Sequence, residues 1–83
     1  MTTTTPKITI YSTPTCHFCH MAKDFFTENH VAFTDYNVGS DLEKRKEMVE
    51  VSGQMGVPVI IIEGQVKPII GFDEDRIREV LSL

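Results

Sequence analysis

Lys7-Ile8-Thr9-Ile10-Tyr11-Ser12-Thr13-Pro14-Thr15-Cys16-His17-Phe18-Cys19-His20 is the stretch on which the reading of this chain turns. Its first five residues are rich in β-branched and aromatic side chains and predict a strand. Ser12-Thr13-Pro14-Thr15 breaks that strand. From His17 to Asn29 the pattern becomes helical, with Phe18, Ala22, Phe25 and Phe26 at i, i+4, i+7 and i+8 as the expected apolar face. Two cysteines three positions apart therefore stand where a strand hands over to a helix.

The rest of the chain continues the alternation. Val31 to Val38 predicts a second strand, turned by Gly39. Ser40-Asp41-Leu42-Glu43 matches a capping box with Ser40 as N-cap. The helix it opens is expected to place Leu42, Met48 or Val49, Val51 or Ser52, and Met55 inward, and to end at Gly53 and Gly56. The charged run from Glu43 to Glu47 reads as its solvated face. Pro58 to Glu63 is a nearly continuous apolar strand, as expected for burial on both faces. Val66 to Ile70 is expected to pair back as a hairpin, and Pro68 puts that strand at an edge or a bulge. After the Gly71-Phe72 turn, Asp73 caps a last helix bearing Ile77, Val80 and Leu81. The order is β-α-β-α-β-β-α. An α/β fold follows, with a four-stranded mixed sheet, its first βαβ unit parallel, and helices on both faces. Ligand chemistry in such sheets sits at the carboxyl ends of the parallel strands, where Cys16 lies.

Size and charge narrow the classes. Eighty-three residues make one domain, expected over residues 6–83, with Met1 to Thr5 as a flexible polar tail lacking an apolar signal core. Eight basic against twelve acidic residues give a net charge of −4, which disfavours nucleic acid as a partner. No apolar run approaches a membrane span. A disulfide between Cys16 and Cys19 would close almost no loop and so add little stability. The pair suits a cytoplasmic protein that keeps it for chemistry, and a monomer is expected.

That chemistry follows from position. A thiol at a helix N-terminus meets unpaired N–H groups and the positive end of the macrodipole, which favour thiolate. Cys16 is the expected nucleophile. Cys19, one turn later, can attack a mixed disulfide on Cys16 and release the substrate. Zinc is the competing reading of Cys-x-x-Cys, but no second Cys pair and no suitably spaced His pair is present, so no metal is expected. His17, if protonated, would tune the Cys16 thiol. His20 could act likewise from one turn on, and His30 closes the helix.

With this site in place, the chain resembles the glutaredoxins and the related NrdH-type redoxins. The resemblance runs from Lys7 to Leu83. Ile10-Tyr11-Ser12 leading into Cys16-His17-Phe18-Cys19 is similar to the family's first strand and active-site loop. Gly53-Gln54-Met55-Gly56-Val57-Pro58 resembles the segment ending in Thr-Val-Pro, and Gly71-Phe72-Asp73 resembles the Gly-Gly-x-Asp turn. The resemblance implies a thioredoxin-like fold and thiol–disulfide exchange. It also implies a cis bond before Pro58, facing the reactive Cys, and a substrate or glutathione site at Thr13, Val57, Pro58, Gly71, Phe72 and Asp73. The chain departs from the glutaredoxin pattern in four places. His17 replaces the Pro after the first Cys, Thr13 replaces a Lys or Arg clamp for a glutathione carboxylate, Gly56 replaces Thr, and Ile70 replaces the first Gly of the turn.

These departures favour an NrdH-like redoxin that reduces a protein disulfide and is itself reduced by a thioredoxin-reductase-type enzyme. The alternative is a glutathione-dependent glutaredoxin, with glutathione as co-substrate rather than a tightly bound cofactor. Lys44 or Arg45 would then be candidates for the glycyl carboxylate. An iron–sulfur cluster carrier is disfavoured by Cys19, since carriers devoted to that role have one active-site Cys. A non-catalytic interaction module would need a redox-inert pair.

Overall fold

The computed structural model describes residues 6–83, and the expected tail over residues 1–5 lies outside the described residues. The elements are β1 (Ile8–Ser12), α1 (His17–Glu28), β2 (Thr34–Asn37), α2 (Leu42–Ser52), β3 (Val59–Ile62), β4 (Ile69–Ile70) and α3 (Glu74–Leu81). The predicted order holds. The strands lie in the order β2-β1-β3-β4. β1 runs parallel to β2, with Ile10 opposite Asp35, and antiparallel to β3, with Ile10 opposite Ile60. β3 and β4 form the antiparallel hairpin.

Alternation along the two central strands builds two cores. Ile8, Ile10, Ile60 and Ile62 point to one face and pack with Ala22, Phe25 and Phe26 of α1, Ile69, and Ile77 of α3. Tyr11 and Val59 point to the other face and meet Val38 and Met48 of α2. Ile60 is wholly buried at the centre, worth about 1.5–3 kcal/mol relative to exposure. β3 is apolar on both faces because β1 and β4 flank it and helices cover it. Helices thus lie on both faces of the sheet, as predicted.

The structure corrects several local expectations. Asp41, not Ser40, is the N-cap of α2, its carboxylate accepting the Lys44 N–H at 3.1 Å. Leu42, the first residue of α2, is 70% exposed, and Val51 and Met55 are exposed too. Met48 is the one fully buried side chain of α2, with Val49 packed beside it. Phe18 is likewise 57% exposed; Cys19 completes the buried stripe of α1 with Ala22, Phe25 and Phe26. The second strand is shorter than predicted, since Val31 and Phe33 pack on the core ahead of the paired residues. The fourth is cut to Ile69–Ile70, an edge strand that Pro68 precedes, and Val66 is 98% exposed.

The end of α1 has its own closure. Val31 N–H donates to Phe26 O and His30 N–H to Thr27 O, with His30 in the left-handed region at φ 57°. This is a Schellman closure with histidine where glycine is usual.

Candidate active site

Residues 12–19 carry the chain from the end of β1 into α1. Cys16 adopts an extended conformation (φ −89°, ψ 113°) and is itself the N-cap. Its sulfur accepts the Cys19 N–H at 3.1 Å, the role that a Ser or Asp side chain plays at other helix starts. The Cys16 N–H donates to Thr13 O at 3.3 Å, and the His20 ring Nε2 lies 2.7 Å from Pro14 O. With a carbonyl as its partner, that nitrogen carries the proton. His20 therefore pins the loop that presents Cys16.

Both cysteines are free thiols in unequal settings. Cys16 is partly exposed, whereas Cys19 is fully buried. Burial, then the hydrogen bond with Cys16, push the Cys19 thiol up from the ordinary 9.0 to about 12. The first sulfur meets solvent at a helix N-terminus. The second sits behind it as a protonated thiol.

The opposite wall comes from the segment before β3. The Val57–Pro58 bond is cis, and the Cys16 S–H points at the Val57 carbonyl oxygen at 3.8 Å. Pro58 is buried behind Val57, and its own carbonyl accepts the Gly71 N–H at 2.8 Å. Gly71 takes φ 78°, open to glycine without strain. Gln54 braces this wall: its Oε1 accepts the Gly56 N–H at 2.6 Å and its Nε2 donates to Gly56 O at 3.0 Å. Phe18, Val57, Ile70, Gly71, Phe72 and Asp73 line a groove of about 430 Å³. Asp73 caps α3, accepting the Arg76 N–H at 3.2 Å.

Most of the residues singled out in the sequence thus converge here: Cys16, Cys19, Val57, Gly71, Phe72 and Asp73, with Pro58 behind. Thr13 does not line the groove; it serves the Cys16 loop through its carbonyl. His17 is exposed, its ring edge-on to Phe18 at 5.6 Å, with no hydrogen bond to Cys16 among the described residues. His30 lies at the far end of α1. Lys44 is engaged by Glu47 at 3.1 Å and rests over the Tyr36 ring at 4.3 Å. Sequence reasoning missed Phe18, Ile70 and Gln54 as parts of the site. A signal existed for Phe18, an aromatic in the first turn beside the cysteines. For Ile70 none did, since its place in the groove depends on backbone that only folding brings near; Gln54 acts on Gly56 only two residues on, but a side chain closing back on a loop has no distinctive sequence signal. Among the described residues no group of three or more His, Cys, Asp or Glu is placed to hold a metal.

The arrangement suits nucleophilic exchange at sulfur: an accessible thiol, a groove for its partner, and a second thiol one turn behind. Comparisons with known proteins agree. The glutaredoxin family profile matches residues 8–67. An uncharacterized glutaredoxin-like 8.6 kDa protein in the rubredoxin operon of Clostridium pasteurianum is 42% identical over 75 residues, 90% of this chain and 97% of that protein. Glutaredoxin 3 of Escherichia coli (strain K12) is 36% identical over 59 residues, 71% of each chain. The solved structure of NrdH-redoxin from Escherichia coli, a glutaredoxin-like protein described as having a thioredoxin-like activity profile, superposes with a TM-score of 0.76 at 28% identity. That match covers 89% of this chain and 93% of the other.

Proposed function

The chain belongs to the glutaredoxin family of thiol–disulfide oxidoreductases, and from that premise we propose that it reduces protein disulfides with electrons drawn from a thioredoxin-reductase-type enzyme rather than from glutathione. Cys16 thiolate attacks one sulfur of the substrate disulfide, and the other sulfur leaves as a thiolate that takes up a proton. Cys19 then attacks the Cys16 sulfur, losing its own proton, and the second substrate thiol departs. Two substrate thiols and one Cys16–Cys19 disulfide result, and the reductase returns two electrons and two protons to that disulfide.

The observation that carries the choice of donor is the lining of the groove. It is apolar apart from one acid, Asp73, and no basic side chain is part of it. Glutathione brings two carboxylates. At the clamp position stands Thr13, Lys23 is paired with Asp35 at 3.1 Å, and Lys44 is paired with Glu47. An extended protein segment, by contrast, can lie against Phe18, Ile70 and Phe72 and pair with the Val57 backbone. The likeness to NrdH-redoxin supports the same reading. Asp73 at the start of α3 favours the second reading, glutathione held by its γ-glutamyl end. A cytoplasmic setting, where thiols stay reduced, fits both.

The test offers the oxidised protein NADPH with either thioredoxin reductase or glutathione and glutathione reductase. Faster reduction by thioredoxin reductase is expected. Faster glutathione-driven turnover would overturn the proposal in favour of the second reading.

A further inference from the structure

Between α1 and the carboxyl ends of β1 and β2 lies a polar network with no part in the exchange steps above. Ser12, buried at the end of β1, donates from Oγ to Asp35 Oδ1 at 2.6 Å. Lys23 Nζ lies 3.1 Å from Asp35 Oδ2 and 3.5 Å from Ser12 Oγ. The ammonium and carboxylate are largely withdrawn from solvent, at 21% and 33% side-chain exposure. Lys23 stands four residues after Cys19, one turn along the same helix. A partly buried ion pair is costly to desolvate and weak evidence of stability by itself.

We infer that Lys23 is a positioning residue for the second half of the reaction: its ammonium, held by Asp35 and Ser12 one helical turn from Cys19, lowers the barrier for Cys19 to give up its proton and attack the Cys16 mixed disulfide. This inference rests on reading Cys19 as the resolving thiol. In the step, the Cys19 S–H bond breaks, a Cys19–Cys16 sulfur bond forms, and the mixed-disulfide bond breaks. Its electron pair goes to the departing substrate thiolate, which takes the proton. Negative charge develops on a fully buried sulfur, so a nearby cation stabilises it.

The charges around Cys19 are few. Cys16 faces it from the helix start. Lys23 is the cation that draws its thiol down, against burial and Cys16, together with the Thr13 backbone. Asp35 stands behind Lys23 on β2 and mutes it. His20 is turned to the Pro14 carbonyl, Asp73 faces the groove from α3, and β3 presents only Val59, Ile60, Ile61 and Ile62. The two members of the pair should therefore act in opposite senses.

The experiment is a single turnover of the reduced protein with a symmetrical aromatic disulfide whose thiolate products are coloured. The first equivalent reports Cys16 attack and the second reports Cys19 resolution. Lys23→Met should slow the second phase about tenfold at neutral pH and move its pH midpoint up. The first phase should stay within about twofold, because Cys16 attack does not require Cys19 to ionise. Lys23→Arg should restore the second phase. Asp35→Asn, which keeps the cation and removes its screen, should speed that phase and move its midpoint down. A mere brace would slow the phase in both Lys23→Met and Asp35→Asn with an unmoved midpoint, and that result overturns the inference. Cys19→Ser separates the premise: a second phase that survives it overturns the role of Cys19 itself, and the inference with it.

Discussion

The Val57 carbonyl oxygen lies 3.8 Å from the Cys16 sulfur, although 41 residues separate the two in the chain. This contact joins a helix N-terminus to the start of a central strand. It places the nucleophile at the mouth of the groove lined by Phe18, Val57, Ile70 and Phe72. A disulfide partner of Cys16 can rest its flanking residues against these walls.

The division of labour between the cysteines predicts different losses. Cys16→Ser should abolish reduction of a protein disulfide, because no thiolate nucleophile remains. Cys19→Ser should instead stall after the first step and accumulate a mixed disulfide, visible by intact-mass measurement. Near-normal turnover by Cys16→Ser, or no trapped adduct with Cys19→Ser, contradicts the assignment.

A clamp can be restored. Thr13→Lys places a cation where the glutaredoxin pattern has one, and a charge-assisted bond is worth about 1.5–3 kcal/mol. Glutathione-dependent turnover should rise by about one to two orders of magnitude, measured with glutathione reductase and NADPH. An unchanged rate would show that the clamp position does not limit glutathione binding.

Alkaline pH should weaken the reduced protein. Cys19 is held as a thiol up to about 12, by burial and then its bond to Cys16. Tyr11 is also pushed up, by burial and then by its hydrogen bond to Glu47 at 2.6 Å. Both are acids whose protonated form the fold favours. Their contribution is complete below the unfolded-state values and is lost as pH rises, from about 9 upward for Cys19 and from about 10 for Tyr11. Thermal melts of the reduced protein between pH 8 and 11 should show a falling Tm. Tyr11→Phe should lower stability at pH 8 and flatten the fall above pH 10. An equally steep fall in that variant would remove Tyr11 from the account.

The closure of α1 offers a stabilising change. His30 sits at φ 57°, a conformation that costs a residue with a Cβ about 1–2 kcal/mol. Glycine relieves this but loses more entropy on folding, so His30→Gly should raise stability by about 0.5–1 kcal/mol in urea unfolding. His30 lies away from the groove, and disulfide reduction should be unaltered. A less stable variant would mean that the histidine side chain contributes a contact of its own.

Periodicity carried the fold because it is local. Ile8, Ile10, Ile60 and Ile62 alternate with a period of two, and Ala22, Phe25 and Phe26 follow the helical one. The order of elements and the two-faced sheet follow from those patterns. Cys16 and Cys19 were legible for the same reason: their spacing and their place at a strand-to-helix junction are sequence properties. The capping of α2 was misread because Ser40 and Asp41 are both good N-caps, and local sequence does not choose between them. Phe18 was misread because helical spacing cannot say where the core ends and the groove begins.

What the sequence alone determined is a nucleophilic dithiol at the head of a helix in a small α/β domain. The tertiary structure decided which groups surround it. Val57 reaches Cys16, and Lys23 meets Asp35 and Ser12, because three strands and a helix converge at one end of the sheet. The Val57–Cys16 contact and the Lys23 contacts with Asp35 and Ser12 join residues distant in the chain and depend on register and packing. Local propensity does not encode them, because each becomes favourable only after the entropy of closing the intervening loops has been overcome by the burial of both cores.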